Sequence, residues 1–172
     1  MNPKLEGIFA RRSVRQYRPG EVDDATIRDL LEAAMAAPSA VAKDPWHFIV
    51  VRDRQMLGRI TEGLPNGKML VDAAAGIVVC GDVHQAHGQL EGYLVQDCSA
   101  AVENLLLAAT ALGLGGCWLG VYPRPERAEF LRTLFGLPAN IVPVAVVSIG
   151  WPLAPAEPRT RYREEAVHME RW

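Results

Sequence analysis

Residues 95–114 read VQDCSAAVENLLLAATALGL. This helix-length run is apolar almost all round, and a helix with so little polar surface belongs in the middle of a fold. The flanking sequence supplies what it packs against. Downstream, GCWLGV (116–121) and IVPVAVVSIGW (141–151) read as strands, with a surface helix, ERAEFLRTLFGL (126–137), between them. Upstream, WHFIVVRD (46–53) and AAGIVVCGD (74–82) are strands rich in β-branched residues, separated by the short helix RQMLGRITEGL (54–64). The clearest helix is VDDATIRDLLEAAMAAPS (22–39), where Ile27, Leu30, Leu31, Ala34 and Met35 share one face. Asp23 is its expected N-cap and Pro38 its stop. Strands separated by helices predict a layered α/β or α+β domain, with no repeat and no linker before Gly150.

The totals agree with a single domain over residues 1–172, large enough for a real core, with 49% apolar and 22% charged residues. A formal net charge of −2 argues against general attraction to nucleic acid or to an anionic membrane. Cys80, Cys98 and Cys117 lie in apolar or small-residue runs without C-x-x-C spacing, which predicts buried free thiols in a reducing compartment. Glu6 interrupts the opening MNPKLEGIFA where a leader would keep its apolar core, and no apolar run is long enough to span a bilayer. A cytoplasmic protein is the expectation.

Against that mildly acidic background stands RRSVRQYRPG (11–20), with Arg11, Arg12, Arg15 and Arg18. Guanidinium forks and the Ser13 hydroxyl suit a phosphate dianion, each charge-assisted bond contributing about 1.5–3 kcal/mol. The plainer reading is a solvated basic turn paired with surface carboxylates. A second basic group, Arg159 and Arg161, sits in the closing stretch WPLAPAEPRTRYREEAVHMERW (151–172), which has three prolines and no apolar period. Such a tail is either disordered or laid on a partner; Trp151, Tyr162, Val167, Met169 and Trp172 favour a tail that wraps a partner subunit. Two distant basic groups point to one shared anionic ligand.

Familiar motifs narrow the chemistry by failing. Gly113 and Gly115 are followed by Trp118 where G-x-G-x-x-G needs a glycine, and they end a helix instead of opening one. No phosphate-loop lysine motif and no G-x-S-x-G elbow is present. His84 and His87 in HQAH lack a second ligand pair and are read as solvated, so no metal site is expected. With no acid–base or nucleophile constellation of its own, the chain would need a cofactor for any hard step.

Four segments, in order, resemble the nitroreductase family of FMN-dependent oxidoreductases. RRSVRQYRPG resembles its R-R-S-x-R-x-[FY] opening, and AAPSAVAKDPWHFIVV its A-P-S-x-x-N-x-Q-P-W segment. QDCSAAVENLLLAATALGLGGCWLG resembles the central helix and G-x-x-W-[IL]-G strand, and PRTRYREEAVHMERW the basic closing tail. The resemblance implies an α+β homodimer with a mixed central sheet flanked by helices, a tail wrapping the partner, and FMN at the subunit interface. It implies that Arg11, Arg12 and Ser13 hold the phosphate and ribityl end, with Arg161 and Arg159 closing on the phosphate, the two basic groups coming from two copies. It places Arg15 near the N1/C2 side of the flavin, Pro38, Ser39 and Ala40 against the ring from the partner, and the Leu119 and Gly120 amides near N5 and O4, with Trp118 behind. Two positions depart from the pattern: Ala42 stands for the family asparagine and Asp44 for its glutamine. Only HQAHGQLEGYLVQ separates the second strand from the central helix, so a bare roof over the pocket is expected. The implied activity passes hydride from NADH or NADPH through flavin N5 to a small-molecule acceptor such as a nitroaromatic or quinone. The alternative is a flavin-binding module without turnover.

Overall fold

The computed structural model describes residues 2–172. Its centre is the strand β3 (Ala75–Asp82), every residue of which is buried. Because side chains alternate along a strand, Ile77 and Val79 enter one apolar cluster while Val78 and Cys80 enter another on the opposite face. The same alternation splits β5 (Ile141–Pro152), with Ala145, Val147 and Ile149 on one side and Val146 on the other. Both faces are therefore clad, and the continuous apolar runs in the sequence follow from that.

One face carries α2 (Asp24–Met35) and α4 (Glu91–Ala111); the other carries α3 (Arg54–Gly63) and α5 (Pro125–Phe135). Asp23 caps α2, its Oδ1 accepting the Thr26 N–H at 2.7 Å, and Asp53 caps α3 through Met56 N–H at 2.7 Å. Met35, read as part of the apolar face of α2, is exposed at the helix end. A first short helix, α1 (Glu6–Ala10), precedes the arginine-rich segment. The central helix begins a turn earlier than its apolar run suggests, at Glu91, because the backbone ladder continues back through Leu94 N–H to Leu90 O. It buries the stripe Leu94, Cys98, Ala101, Val102, Leu105 and Ala109, whereas Val95, Ala100, Leu107 and Ala108 on its other side are half-covered.

The sheet runs β1-β5-β3-β2, with β4 (Gly115–Gly120) also paired to β5, where β1 is the short Tyr17–Arg18 and β2 is Trp46–Val51. All these pairings are antiparallel, and a parallel bridge between Ser13 and Gly116 adds the opening segment beside β4. β5 bonds three strands, which fixes β4 opposite residues 145–150 and β1 opposite residues 151–152. Tyr17 locks the opening segment down. Its hydroxyl lies 2.8 Å from Ser148 Oγ and donates to Val14 O at 3.0 Å, and burial raises its pKa well above the ordinary phenol.

Trp151 and Pro152 belong to β5, so the irregular tail starts later than its composition suggests. The Trp151 indole donates to Glu21 O at 3.0 Å, and the Arg18 guanidinium stands 5.1 Å over its ring. Beyond it the tail lies on its own chain: Leu153 N–H donates to Gln16 O at 3.0 Å and Arg159 N–H to Phe9 O at 3.1 Å. Past Arg161 the side chains stand in solvent, Tyr162 at 72%, Met169 at 79% and Trp172 at 101% exposed.

The three cysteines are buried free thiols, as their setting predicts. Burial pushes the Cys80 and Cys98 thiols up to about 12. Among the described residues no helix is long and apolar enough to cross a membrane.

Candidate functional site

The opening segment and the tail meet. Arg11, Arg12, Ser13, Arg15, Arg159 and Arg161 line one cavity of about 430 Å³, closed at one side by Ile8. All of them come from a single chain, which corrects the expectation that two copies supply the two basic groups. The reason is local: the β1–β5 pairing and the two tail-to-N-terminus backbone bonds carry the chain back across α1 before Arg159 is reached.

The electrostatics of this cavity are unbalanced. Arg11 Nε is paired with Glu103 Oε1 of α4 at 3.1 Å. No carboxylate within salt-bridge distance answers Arg12, Arg15, Arg159 or Arg161 among the described residues. Partial withdrawal from water, then the like charges of Arg159, Arg161 and Arg11, lower the pKa of Arg12. Like charges held this close, on backbones fixed by sheet and helix, form a ready-made anion site. An added Cβ at Gly115 would fall 2.7 Å from Val14, so glycine there lets the arginine segment press against β4.

A second cavity of about 410 Å³ opens along the end of β4. Arg15 borders both cavities and so joins them. Trp118, Leu119 and Gly120 form one wall of the second, and Leu64 adds apolar surface. A Cβ at Gly120 would meet nothing within 4 Å, so this backbone is free to be approached by a flat ligand. Asn66, Gly67, Cys117 and Arg127 also line it and were not read as site residues from sequence. The Pro65–Asn66–Gly67 stretch signals a turn, and Gly67 N–H donates to Leu64 O at 2.7 Å to make one, but nothing in the sequence says which cavity the turn faces. Arg127, on the first turn of α5, donates from Nη1 to the Gly120 carbonyl at 2.7 Å.

Pro38, Ser39, Ala40 and Ala42 line neither cavity. They form an outward loop after α2, in which Val41, Ala42 and Asp44 all take positive φ, at 55°, 51° and 48°. Left-handed backbone costs an L-residue roughly 1–2 kcal/mol, and a β-branched valine adopts it rarely. Internal bonds hold the loop there. Ser39 Oγ donates to Asp44 Oδ1 and accepts the Asp44 N–H at 2.9 Å. Asp97 of α4, another residue not singled out from sequence, accepts the Ala40 N–H at 2.8 Å through Oδ1. Its Oδ2 is buried without a partner among the described residues. The Val41 side chain projects outward, 70% exposed. His84 is exposed, and the His87 ring meets Tyr93 edge-on at 5.0 Å. Among the described residues no group of three or more His, Cys, Asp or Glu is placed to hold a metal ion.

An arginine-lined cavity joined through one arginine to a partly apolar slot suits a ligand with a phosphate at one end and a planar ring at the other. The residues therefore fit FMN by donor chemistry. Comparison with known proteins points the same way. Residues 8–75 and 59–151 match the model of the nitroreductase family. The whole chain is 48% identical, over the full length of both, to an Archaeoglobus fulgidus protein named "Putative NADH dehydrogenase/NAD(P)H nitroreductase". A crystal structure bearing the same name, from Parabacteroides distasonis, superposes with a TM-score of 0.93 at 41% identity, covering 100% of each chain. Another, a "putative nitroreductase in complex with FMN" from Desulfovibrio desulfuricans, superposes with a TM-score of 0.85 at 32% identity, covering 100% of this chain and 99% of that one. In sequence and in fold, this chain belongs to the nitroreductase family.

Proposed function

We propose that the chain is an FMN-dependent NAD(P)H oxidoreductase that works as a homodimer, taking hydride from NADH or NADPH and passing it to nitroaromatics, quinones or similar small acceptors in alternate turns. The observation that carries this reading is the convergence of five arginines and Ser13 on one cavity that Arg15 connects to the slot along β4. When bound, FMN supplies the hydride-accepting and hydride-donating centre at N5. The chain supplies the rest. Arg11, Arg12, Ser13, Arg159 and Arg161 bind the phosphate, and Arg15 offsets negative charge on the N1/C2 side of the ring. Leu119 and Gly120 offer backbone N–H groups near N5 and O4, and Trp118 supports that wall. Pro38, Ser39 and Ala40 reach the ring of the partner's flavin, which accounts for a strained loop that lines neither of these two cavities. At Ala42 only backbone groups are available where the family has an amide.

A second copy also accounts for the half-covered apolar side of α4 and for the exposed Tyr162, Val167, Met169 and Trp172, which wrap the partner. The buried thiols suit the reducing cytoplasm.

The test is direct. Purified protein should be yellow, or turn yellow with added FMN, and NADH or NADPH should bleach it without oxygen. Bound flavin that neither nucleotide reduces would overturn the enzyme reading and favour a flavin-holding module, the reading that Ala42 and Asp44 support. A panel of acceptors then decides turnover: retained FMN with negligible acceptor-dependent oxidation of NAD(P)H establishes the module.

A further inference from the structure

Arg127 carries a charge that the fold does not answer. It is half-buried, and one of its N–H groups is committed to the Gly120 carbonyl at 2.7 Å. That bond fixes the guanidinium at the edge of the second cavity, which it lines together with Arg15 and the apolar side chains of Leu64 and Leu119. The acidic residues beside it on α5 are engaged elsewhere: Glu126 with Arg124 at 3.8 Å and Glu129 with Arg132 at 3.7 Å. No carboxylate pairs with Arg127 among the described residues. A guanidinium has five N–H donors, and its cost of partial desolvation is offset when an oxyanion accepts from the remaining ones.

Arg15 is assigned to the flavin in the function proposed above, and the inference rests on that reading. Arg127 is then a second cation on the same cavity, with no role in holding the phosphate. We propose that Arg127 forms an oxyanion subsite beside the flavin ring, binding an anionic substituent of the molecule that comes to exchange hydride there. Two sources share that chemistry: a carboxylate on the acceptor, or the phosphate next to the nicotinamide ribose of the donor. Arg127 is thus a specificity-determining residue, and through Gly120 it also positions the end of β4.

Equilibrium binding tests this without turnover. The FMN-loaded protein is titrated, following the flavin absorption spectrum, with two pairs of probes matched in shape and differing in charge: benzoate against benzamide, and nicotinamide mononucleotide against nicotinamide riboside. In at least one pair the anion should bind roughly tenfold or more tighter, the scale of one charge-assisted bond. The pair that shows the preference names the source. Arg127→Gln should bring the ratio within that pair close to one, and Arg127→Lys should restore part of it; the ratio is read, so any general loss from disturbing Gly120 cancels. Equal affinities within both pairs for the unaltered protein overturn the subsite even if neither variant folds, and so does a preference that survives Arg127→Gln. Failure of the underlying flavin reading looks different: the protein stays colourless after incubation with FMN, and the inference falls with it.

Discussion

The arginine segment 11–18 and the loop 38–44 are both assigned to the same cofactor, yet the fold treats them in contrary ways. The first is pinned on every side: Ser13 bridges to Gly116, Tyr17 reaches Ser148, and Arg159 is drawn in by a backbone bond to Phe9. The second protrudes, three of its residues in left-handed backbone, held mainly by Asp97 and by its own Ser39–Asp44 contacts. The difference separates two kinds of work. On the proposed assignment, the phosphate end is completed by the tertiary fold of one chain, whereas the ring end needs a surface that the chain extends outward. Phosphate affinity should therefore follow the intrachain contacts, and ring contacts should follow assembly.

The largest effect expected from breaking this contrast comes from removing residues 156–172. Loss of Arg159 and Arg161 together removes about 3–6 kcal/mol of charge-assisted bonding, so FMN affinity should fall at least about a hundredfold. The dimer should weaken with it, since the exposed apolar tail side chains leave as well. Flavin content and sedimentation velocity read the two losses, and a flavin-loaded dimer after truncation contradicts both assignments. Smaller is Arg161→Ala, which should weaken FMN by roughly ten- to a hundredfold while the thermal midpoint of the flavin-free protein stays put. Unchanged flavin occupancy removes Arg161 from the phosphate site.

Asp97→Ala probes the other region. It strands the Ala40 N–H and frees the loop, at a cost of about 1–3 kcal/mol in denaturant unfolding. Inorganic phosphate should bind the flavin-free variant as it binds the unaltered protein, because the side-chain hydrogen bond of Asp97 goes to Ala40 and not to a residue of the arginine cavity; a parallel loss of phosphate affinity would mean the two regions are not independent. Ala42→Asn should have the smallest effect and a favourable one. Asparagine tolerates φ near 51° better than alanine and returns an amide to the loop, so FMN should tighten by about three- to twelvefold. Weaker binding would show that the loop follows a path of its own here.

Much of the first region was legible in the sequence and little of the second. Arg11, Arg12, Arg15, Arg159 and Arg161 announce themselves by charge and Ser13 by standing among them, and the cavity gathers all six. What sequence missed was that the two basic groups meet within one chain, because a two-residue strand such as Tyr17–Arg18 carries no periodicity to read. The helices and long strands were visible because burial on both sheet faces leaves near-continuous apolar runs. Asn66, Arg127 and Asp97 were not: each matters through a backbone group or cavity far away in sequence, and a lone polar residue in a turn or on a helix gives no sign of its destination. The left-handed path of Val41 is equally silent, since valine is among the residues least expected there.

The pairing of β4 acts as a ruler. Ser13, at the arginine cavity, is bridged to Gly116, and the second cavity runs along the same strand from Cys117 to Gly120, so about four residues, or roughly 13 Å of extended chain, separate the anchor from the far end of the slot. Loops can be lengthened or trimmed without touching that span. Insertion of a single residue between Gly116 and Gly120 would stretch it by roughly 3.3 Å and turn the following side chains to the opposite sheet face. On the proposed assignment, the length of molecule this protein grips follows from a strand register, and ligand choice should change more readily at the rim than along this span.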